Sequence, residues 1–312
     1  MLVSRVQILL STYNGEQYID EQILSLIRQE GVSVQILIRD DGSTDNTLGK
    51  LEHLKRLYPQ QIVIFKGENK GVVQSFFDLV LMSSNEFDIY AFCDQDDVWN
   101  KDKLISAVSC LNKLADNVPL MYCSATQMVD QRLSPMKKWP VAPQRPLSHY
   151  NALIENVCVG CTMVFNKTTM ELVKETPPLN INNVIMHDWW IYLCVSSFGR
   201  VVFDPEPRLL YRQHNNNVLG GAGDGWRSKW SKRWNRFLNG KNHYILSKQA
   251  KEFADTFQQR FDYQKQQEIY EFLSFQSKNI IGRAIYIFRA PFYRQSAIDN
   301  LIYKFVFIIG KL

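Results

Sequence analysis

No part of the 312-residue chain assembles the roughly 18 consecutive apolar side chains that a bilayer-spanning helix requires. Met1–Arg5 leads directly into a strand-like run, without the charged and apolar regions of a secretory leader. A cytoplasmic protein with no spanning segment is therefore expected. Neither G-x-G-x-x-G nor G-x-x-x-x-G-K-[ST] occurs, so neither a dinucleotide fingerprint nor a P-loop accounts for any nucleotide chemistry. Repeats and low-complexity tracts are absent. Cysteine is sparse: Cys93, Cys110, Cys123, Cys158, Cys161 and Cys194. Cys158 and Cys161 have C-x-x-C spacing, but no second pair or His pair follows, which argues against zinc and for buried, reduced thiols. Acidic charge is scarce at one end only. Residues 226–312 hold 16 Lys and Arg against 6 Asp and Glu, whereas the remainder holds 20 against 25. A basic tail on a mildly acidic body points to a polyanionic surface, either membrane or nucleic acid.

Hydrophobic residues make up 46% of the chain, enough for a substantial core. Apolar runs alternate with helical periodicity. Strand-like Val6–Leu10, Val34–Ile38, Ile62–Phe65 and Ile89–Cys93 are separated by helix-patterned stretches, the last opened by Asn69-Lys70-Gly71. Such alternation predicts a parallel, doubly wound sheet, with the strands' C-terminal ends meeting along one edge. A helix over 100–114, a strand at Leu120–Cys123 and a long proline-rich loop over 130–150 are expected next. Asn156–Phe165 reads as a strand with a central Gly160, where backbone can approach a ligand. A helix from His187 and strands near Gly199–Phe203 and Leu209–Arg212 follow.

Three polar loops converge at the sheet edge: Thr12-Tyr13-Asn14, Asp40-Asp41-Gly42-Ser43 and Asp94-Gln95-Asp96-Asp97. Three carboxylates within four positions repel one another and call for a hard divalent cation such as Mg2+ or Mn2+, shared with substrate phosphates. Taken singly, the cluster also reads as a solvated turn capping the next helix, and Asp41-Gly42-Ser43 as an ordinary turn. Asp188, between His187 and Trp189-Trp190, suits a partly desolvated base beside an aromatic sugar platform, or a helix cap with core tryptophans. Arg212 can pair with phosphate, and His214 can ligate metal or face a diphosphate. Cations and aromatics interleave over Trp226–Phe237, and Arg283, Arg289 and Arg294 alternate with Ile285, Phe288, Phe292 and Tyr293. This composition suits helices lying in a membrane interface, a nucleic-acid contact, or a bundle packed on the body.

Together, Ser11-Thr12-Tyr13-Asn14-Gly15, Asp40-Asp41-Gly42-Ser43-Thr44-Asp45, Asn69-Lys70-Gly71, Asp94-Gln95-Asp96-Asp97, His187-Asp188-Trp189 and Tyr211-Arg212-Gln213-His214 resemble the ordered motif set of family 2 glycosyltransferases over about residues 5–220. Their wording is most similar to bacterial rhamnosyltransferases of surface-polysaccharide assembly. The resemblance implies a GT-A-type mixed α/β sheet over residues 1–222 and a mainly helical, basic region over 223–312. It implies an inverting enzyme with a nucleotide-sugar donor, dTDP-rhamnose by closest wording, and a lipid-linked glycan acceptor. It also implies a peripheral place on the cytoplasmic membrane surface and no nucleic-acid partner. By residue it implies Asp188 as catalytic base. Thr12, Tyr13, Asn14, Asp40, Asp41, Ser43, Asn69, Asp94, Asp97 and Arg212 would lie around the donor. Asp96, Asp94 and His214 would lie at the metal, and His187, Trp189 and Gly160 at the acceptor. The family's Q-x-x-R-W motif is missing, which favours transfer of single residues. A nucleotidyltransferase at the same edge, and a non-catalytic glycan- or membrane-binding protein, are the competing readings.

Overall fold

A computed structural model describes residues 3–114, 117–214 and 244–312. The first half alternates as the apolar pattern predicts: β1 (Arg5–Thr12), α1 (Ile19–Ile27), β2 (Ser33–Asp40), α2 (Thr47–Leu57), β3 (Ile62–Lys66), α3 (Val72–Met82) and β4 (Ile89–Cys93). Then come β5 (Val98–Trp99), α4 (Lys103–Leu111), β6 (Leu120–Ser124), β7 (Thr126–Val129), β8 (Pro135–Trp139), α5 (His149–Ala152), β9 (Val164–Asn166), α6 (Lys167–Glu175), α7 (His187–Phe198), β10 (Arg200–Asp204) and β11 (Leu209–Arg212). Four helices close the chain: α8 (Ile245–Thr256), α9 (Tyr263–Leu273), α10 (Ile280–Arg289) and α11 (Ala297–Ile308).

Seven strands form one sheet in the order β10-β6-β9-β4-β1-β2-β3. Alternate side chains of each strand feed two separate cores, which is why the strands read as unbroken apolar runs. Val6, Ile8 and Leu10 of β1 pack with Ile23, Leu51 and Leu104 on one face. Leu9 joins Phe76, Phe92 and Trp190 on the other. The sheet is not wholly parallel: β9 runs antiparallel to both β4 and β6 and separates them. A smaller sheet, β5-β11-β7-β8, stands beside it and carries the end of β11 to the tip of β4.

Two stretches differ from the pattern-based expectation. The strand expected over Asn156–Phe165 is reduced to β9, preceded by a single 3-10 turn at Gly160–Thr162. Local side chains compete with the ladder there: Asn156 Oδ1 accepts from Cys158 N–H (3.1 Å) and Thr162 Oγ1 donates to the Val159 carbonyl (2.7 Å). The loop expected over 130–150 contains β8 and runs into the first residues of α5; Asp130 Oδ1 accepts from Arg132 and Ser134 N–H (2.8 Å each) and folds β7 back onto β8.

The C-terminal helices are continuous with the body. Phe253, Phe257, Phe272 and Phe307 share one apolar core with Trp190 and Tyr192 of α7, which is covered on all sides. The cation–aromatic run Trp226–Phe237 lies outside the described residues. Among the described residues, no helix is long and apolar enough to cross a membrane.

Candidate functional site

The C-terminal ends of β1, β2 and β4 lie side by side, with Thr12 in register with Asp40 and Leu10 with Cys93. Gln95 ties the first loop to the acid cluster. Its Oε1 accepts from Thr12 Oγ1 (2.6 Å) and Tyr13 N–H (2.8 Å), and its Nε2 donates to the Tyr13 carbonyl (3.1 Å). A Cβ on Gly15 would stand 2.5 Å from Gln95 Oε1, so only glycine lets the loop close this far. Asn14, in the left-handed region (φ 49°), accepts from Thr44 N–H (2.8 Å) and donates its own N–H to Ser43 Oγ (2.9 Å). Thr12 is buried, while the Tyr13 ring is 45% exposed and so open to a partner.

Asp40 and Asp41 shape the second loop from inside. Asp40 Oδ2 accepts from the N–H groups of Gly42 (3.2 Å) and Ser43 (2.9 Å). Asp41 Oδ1 pairs with Arg39 and accepts from Lys70 N–H (2.9 Å), and Oδ2 accepts from Gly71 N–H (2.9 Å). Both acids are buried. The exposed Asn69 abuts this turn, its backbone N 3.0 Å from where a Cβ on Gly42 would stand.

The acid cluster follows β4. Burial, then the charges of Asp96 and Asp188, pushes Asp94 up to about 7. Burial and its two acidic neighbours hold Asp97 well above the carboxylate range, and its Oδ2 is buried with no hydrogen-bond partner. Among the described residues, Asp94, Asp97 and Cys161 present donor atoms all within 4.8 Å of one another. Burial keeps the Cys161 thiol protonated, so the set offers hard oxygens rather than thiolate sulfur. Asp96 faces the other way, its Oδ2 2.6 Å from His214 Nε2, and the His214 ring stacks on Tyr18. Arg212 is bound within the protein. Its N–H donates to Asp97 Oδ1 (3.1 Å), its Nε to the Asp96 carbonyl (2.8 Å) and a terminal nitrogen to the Gln131 carbonyl (2.7 Å), while the other pairs with Glu21.

Asp188 opens α7 and is buried. Burial pushes it up to about 6, against hydrogen bonds from Trp189 N–H (2.6 Å to Oδ1), the Asn156 side chain and Gly160 N–H. A Cβ on Gly160 would meet Asp188 Cβ at 3.3 Å and His187 Nε2 at 3.2 Å, which fixes the close approach of that turn. Since Cys161 belongs to the acid cluster and Gly160 touches Asp188, one turn joins the two groups of acids. His187 is stacked on Phe76 (3.7 Å between centroids), with both ring nitrogens unpartnered and its pKa lowered by burial to about 3. It is therefore a neutral imidazole. Trp189 Nε1 donates to the Ala152 carbonyl (2.6 Å).

The structure adds residues that no sequence pattern singled out: Gln95, Glu21, Asn156 and Lys103. Lys103 is fully buried beneath the cluster, donates to the Cys161 carbonyl (2.8 Å), and is lowered by burial to about 7. A lysine at the start of an amphipathic helix looks solvent-facing until the chain is folded.

The family model of glycosyl transferase family 2 matches residues 7–172, which carry every one of these loops except those at Asp188 and Arg212. The chain is 34% identical over 240 residues to the dTDP-rhamnosyl transferase RfbG of Shigella flexneri, covering 72% of this chain and 77% of that one. It is 29% identical over 192 residues to the UDP-Glc:alpha-D-GlcNAc-diphosphoundecaprenol beta-1,3-glucosyltransferase WfgD of Escherichia coli, covering 61% and 69%. Among solved structures, residues 1–349 of S. aureus TarS in complex with UDP-GlcNAc superpose with a TM-score of 0.58 at 13% identity, over 92% of this chain and 82% of that one, a likeness of fold. With the GT-A fold, the converging loops and a match over more than half its length, this chain belongs to glycosyl transferase family 2.

Proposed function

We propose that this glycosyltransferase moves L-rhamnose, with inversion, from dTDP-rhamnose to a hydroxyl of a growing lipid-linked glycan at the cytoplasmic face of the membrane. The observation that carries the reading is the nearness of Asp188 to the acid cluster: its charge is felt at Asp94, and Gly160-Cys161 bridges the two. A donor held at Asp94–Asp97 therefore lies within reach of a base approaching from α7. The rhamnose assignment rests on the likeness to a dTDP-rhamnosyl transferase. The lipid-linked acceptor rests on the likeness to an enzyme named for a diphosphoundecaprenol substrate.

The cluster fits a hard divalent ion, Mg2+ or Mn2+. Asp97 Oδ2 is an orphaned buried oxygen, and crowding raises both Asp94 and Asp97, a cost that a cation removes. Asp94 and Asp97 would hold it, with the Asp96–His214 pair beside them. When bound, such an ion supplies positive charge against the diphosphate leaving group. Thr12, Tyr13 and the Asp40–Ser43 turn cradle the nucleotide, Tyr13 offering an exposed ring to the base. Arg212 holds the Asp96–Asp97 turn from behind. Asp188, fixed by three donors, takes the proton of the acceptor hydroxyl as its oxygen attacks the anomeric carbon from the face opposite the diphosphate. A β-L-rhamnosyl donor then gives an α-rhamnoside.

Purified protein incubated with a panel of nucleotide sugars and Mg2+ or Mn2+ should release dTDP from dTDP-rhamnose fastest. EDTA should slow that release by roughly a hundredfold or more, reflecting lost charge stabilisation. Pyrophosphate release from a nucleoside triphosphate would establish a nucleotidyltransferase instead. Absence of turnover with every donor would leave a binding protein.

A further inference from the structure

The last two helices each bury one face and expose another that is apolar. In α10, Ile281, Ile285 and Phe288 recur at i, i+4 and i+7 and are 52–67% exposed, while Ile287 points into the core. In α11, Ile298, Leu301 and Phe305 recur at i, i+3 and i+7 with exposures of 53–67%, while Tyr303 and Phe307 are buried. Lys304 of α11 sits 4.7 Å above the Phe288 ring, so the two stripes adjoin. Exposed apolar side chains scattered singly need no explanation, but six arrayed on two neighbouring helices do. The charge along this segment is mostly positive: residues 278–312 hold six Lys and Arg against one acid, Asp299.

We propose that this outer face of α10 and α11 is the surface by which the enzyme lies on an anionic lipid bilayer, an inference that rests on the lipid-linked acceptor proposed above. Aliphatic and phenyl side chains enter the acyl boundary while Arg289 and Lys304 meet lipid phosphates. An isologous contact between two copies would set the same cations against one another, whereas an anionic surface neutralises them. The linker between the two helices is bound to the body near the base. Asn151 Nδ2 donates to the Tyr293 carbonyl (3.0 Å), Gln295 N–H to Glu155 Oε2 (2.7 Å), and Ser148 Oγ and Tyr293 Oη lie 2.8 Å apart. Residues 148–155 run directly into Asn156, which bonds Asp188. The lipid-facing surface and the base that receives a lipid-linked hydroxyl thus belong to one connected unit.

The full chain is sedimented with phosphatidylcholine vesicles, with and without phosphatidylglycerol. Wild type should pellet with the anionic vesicles and remain in solution with the neutral ones. F288D/L301D should bind the anionic vesicles about tenfold or more weakly, with the residual binding abolished by salt, and R289E/K304E should also bind about tenfold or more weakly. Both variants should keep the wild-type melting temperature and donor hydrolysis rate. Undiminished vesicle binding by both variants would overturn the assignment. So would a wild-type dimer in light scattering that F288D/L301D converts to monomer, since a second copy would then cover the face. Vesicle binding lost in the variants, with no donor turned over by wild type, would uphold this surface and refute the transferase reading separately.

Discussion

Asp188→Asn is expected to lower sugar transfer by about a hundred- to ten-thousandfold, the range of a lost general base, while leaving donor affinity within about twofold. The amide keeps the shape of the carboxylate and the hydrogen bond from Trp189 N–H, but it cannot take a proton. The pH profile supplies an independent check. Burial raises Asp188 to about 6, so the fraction of ionised base falls as pH drops through that value, and transfer in wild type should decline along an acidic limb there. A bound cation nearby favours the ionised form and moves the limb downward, never upward. The residual activity of the Asn variant should lack the limb altogether. Stability separates this from a folding defect. An acid whose pKa is raised on folding is favoured protonated, so its ionisation withdraws stability as pH rises through the folded value. The Asn variant should therefore melt at or above wild type at pH 7.5. Full transfer by the variant, or a limb that persists in it, would remove Asp188 from the mechanism.

Much of this was legible before folding, for identifiable reasons. The strands of the first half are buried on both faces, so their apolar runs are continuous and end abruptly at polar loops. That places Thr12, Asp41 and Asp94 on one edge from periodicity alone. Asp188 stood out because a charge flanked by His187 and two tryptophans is improbable at random on a surface. What escaped notice depended on side-chain reach. Gln95 lies inside the acidic motif and reads as a spacer, yet it clamps Thr12 and Tyr13. Glu21 occupies a helix turn where acids are ordinary, yet it holds Arg212 from a distance of 191 positions. The 3-10 turn at Gly160 was hidden because Asn156 and Thr162 bend a β-branched, apolar stretch that by composition is a strand. The direction of β9 is not encoded in its residues, because side-chain patterning along a strand carries no information on which way it runs.

Arg39→Met is expected to destabilise the protein by about 3–5 kcal/mol, the cost of leaving a buried charge without its partner. Arg39 is 2% exposed, and its guanidinium pairs with Asp41, reaches Asp78 Oδ2 at 3.1 Å, and donates to Ser75 Oγ at 3.1 Å and the Glu68 carbonyl at 3.2 Å. Asp78 retains a second cation in Lys70 (3.3 Å), so its loss is partial. Asp41 keeps only the N–H groups of Lys70 and Gly71, which satisfy its oxygens without neutralising its charge. The same two bonds splice β2 to the entry of α3, so the strain falls on the turn proposed to hold the nucleotide. Thermal unfolding should shift downward by roughly 10 °C, at about 2–4 °C per kcal/mol for a chain of this size. Donor affinity should weaken at temperatures where the variant is still folded. Adding Asp41→Asn should restore part of the stability, because it removes the stranded charge while keeping an acceptor for one of the two N–H groups. A loss below about 1 kcal/mol, or a double variant no more stable than Arg39→Met alone, would show that the pair is not what holds this loop in place.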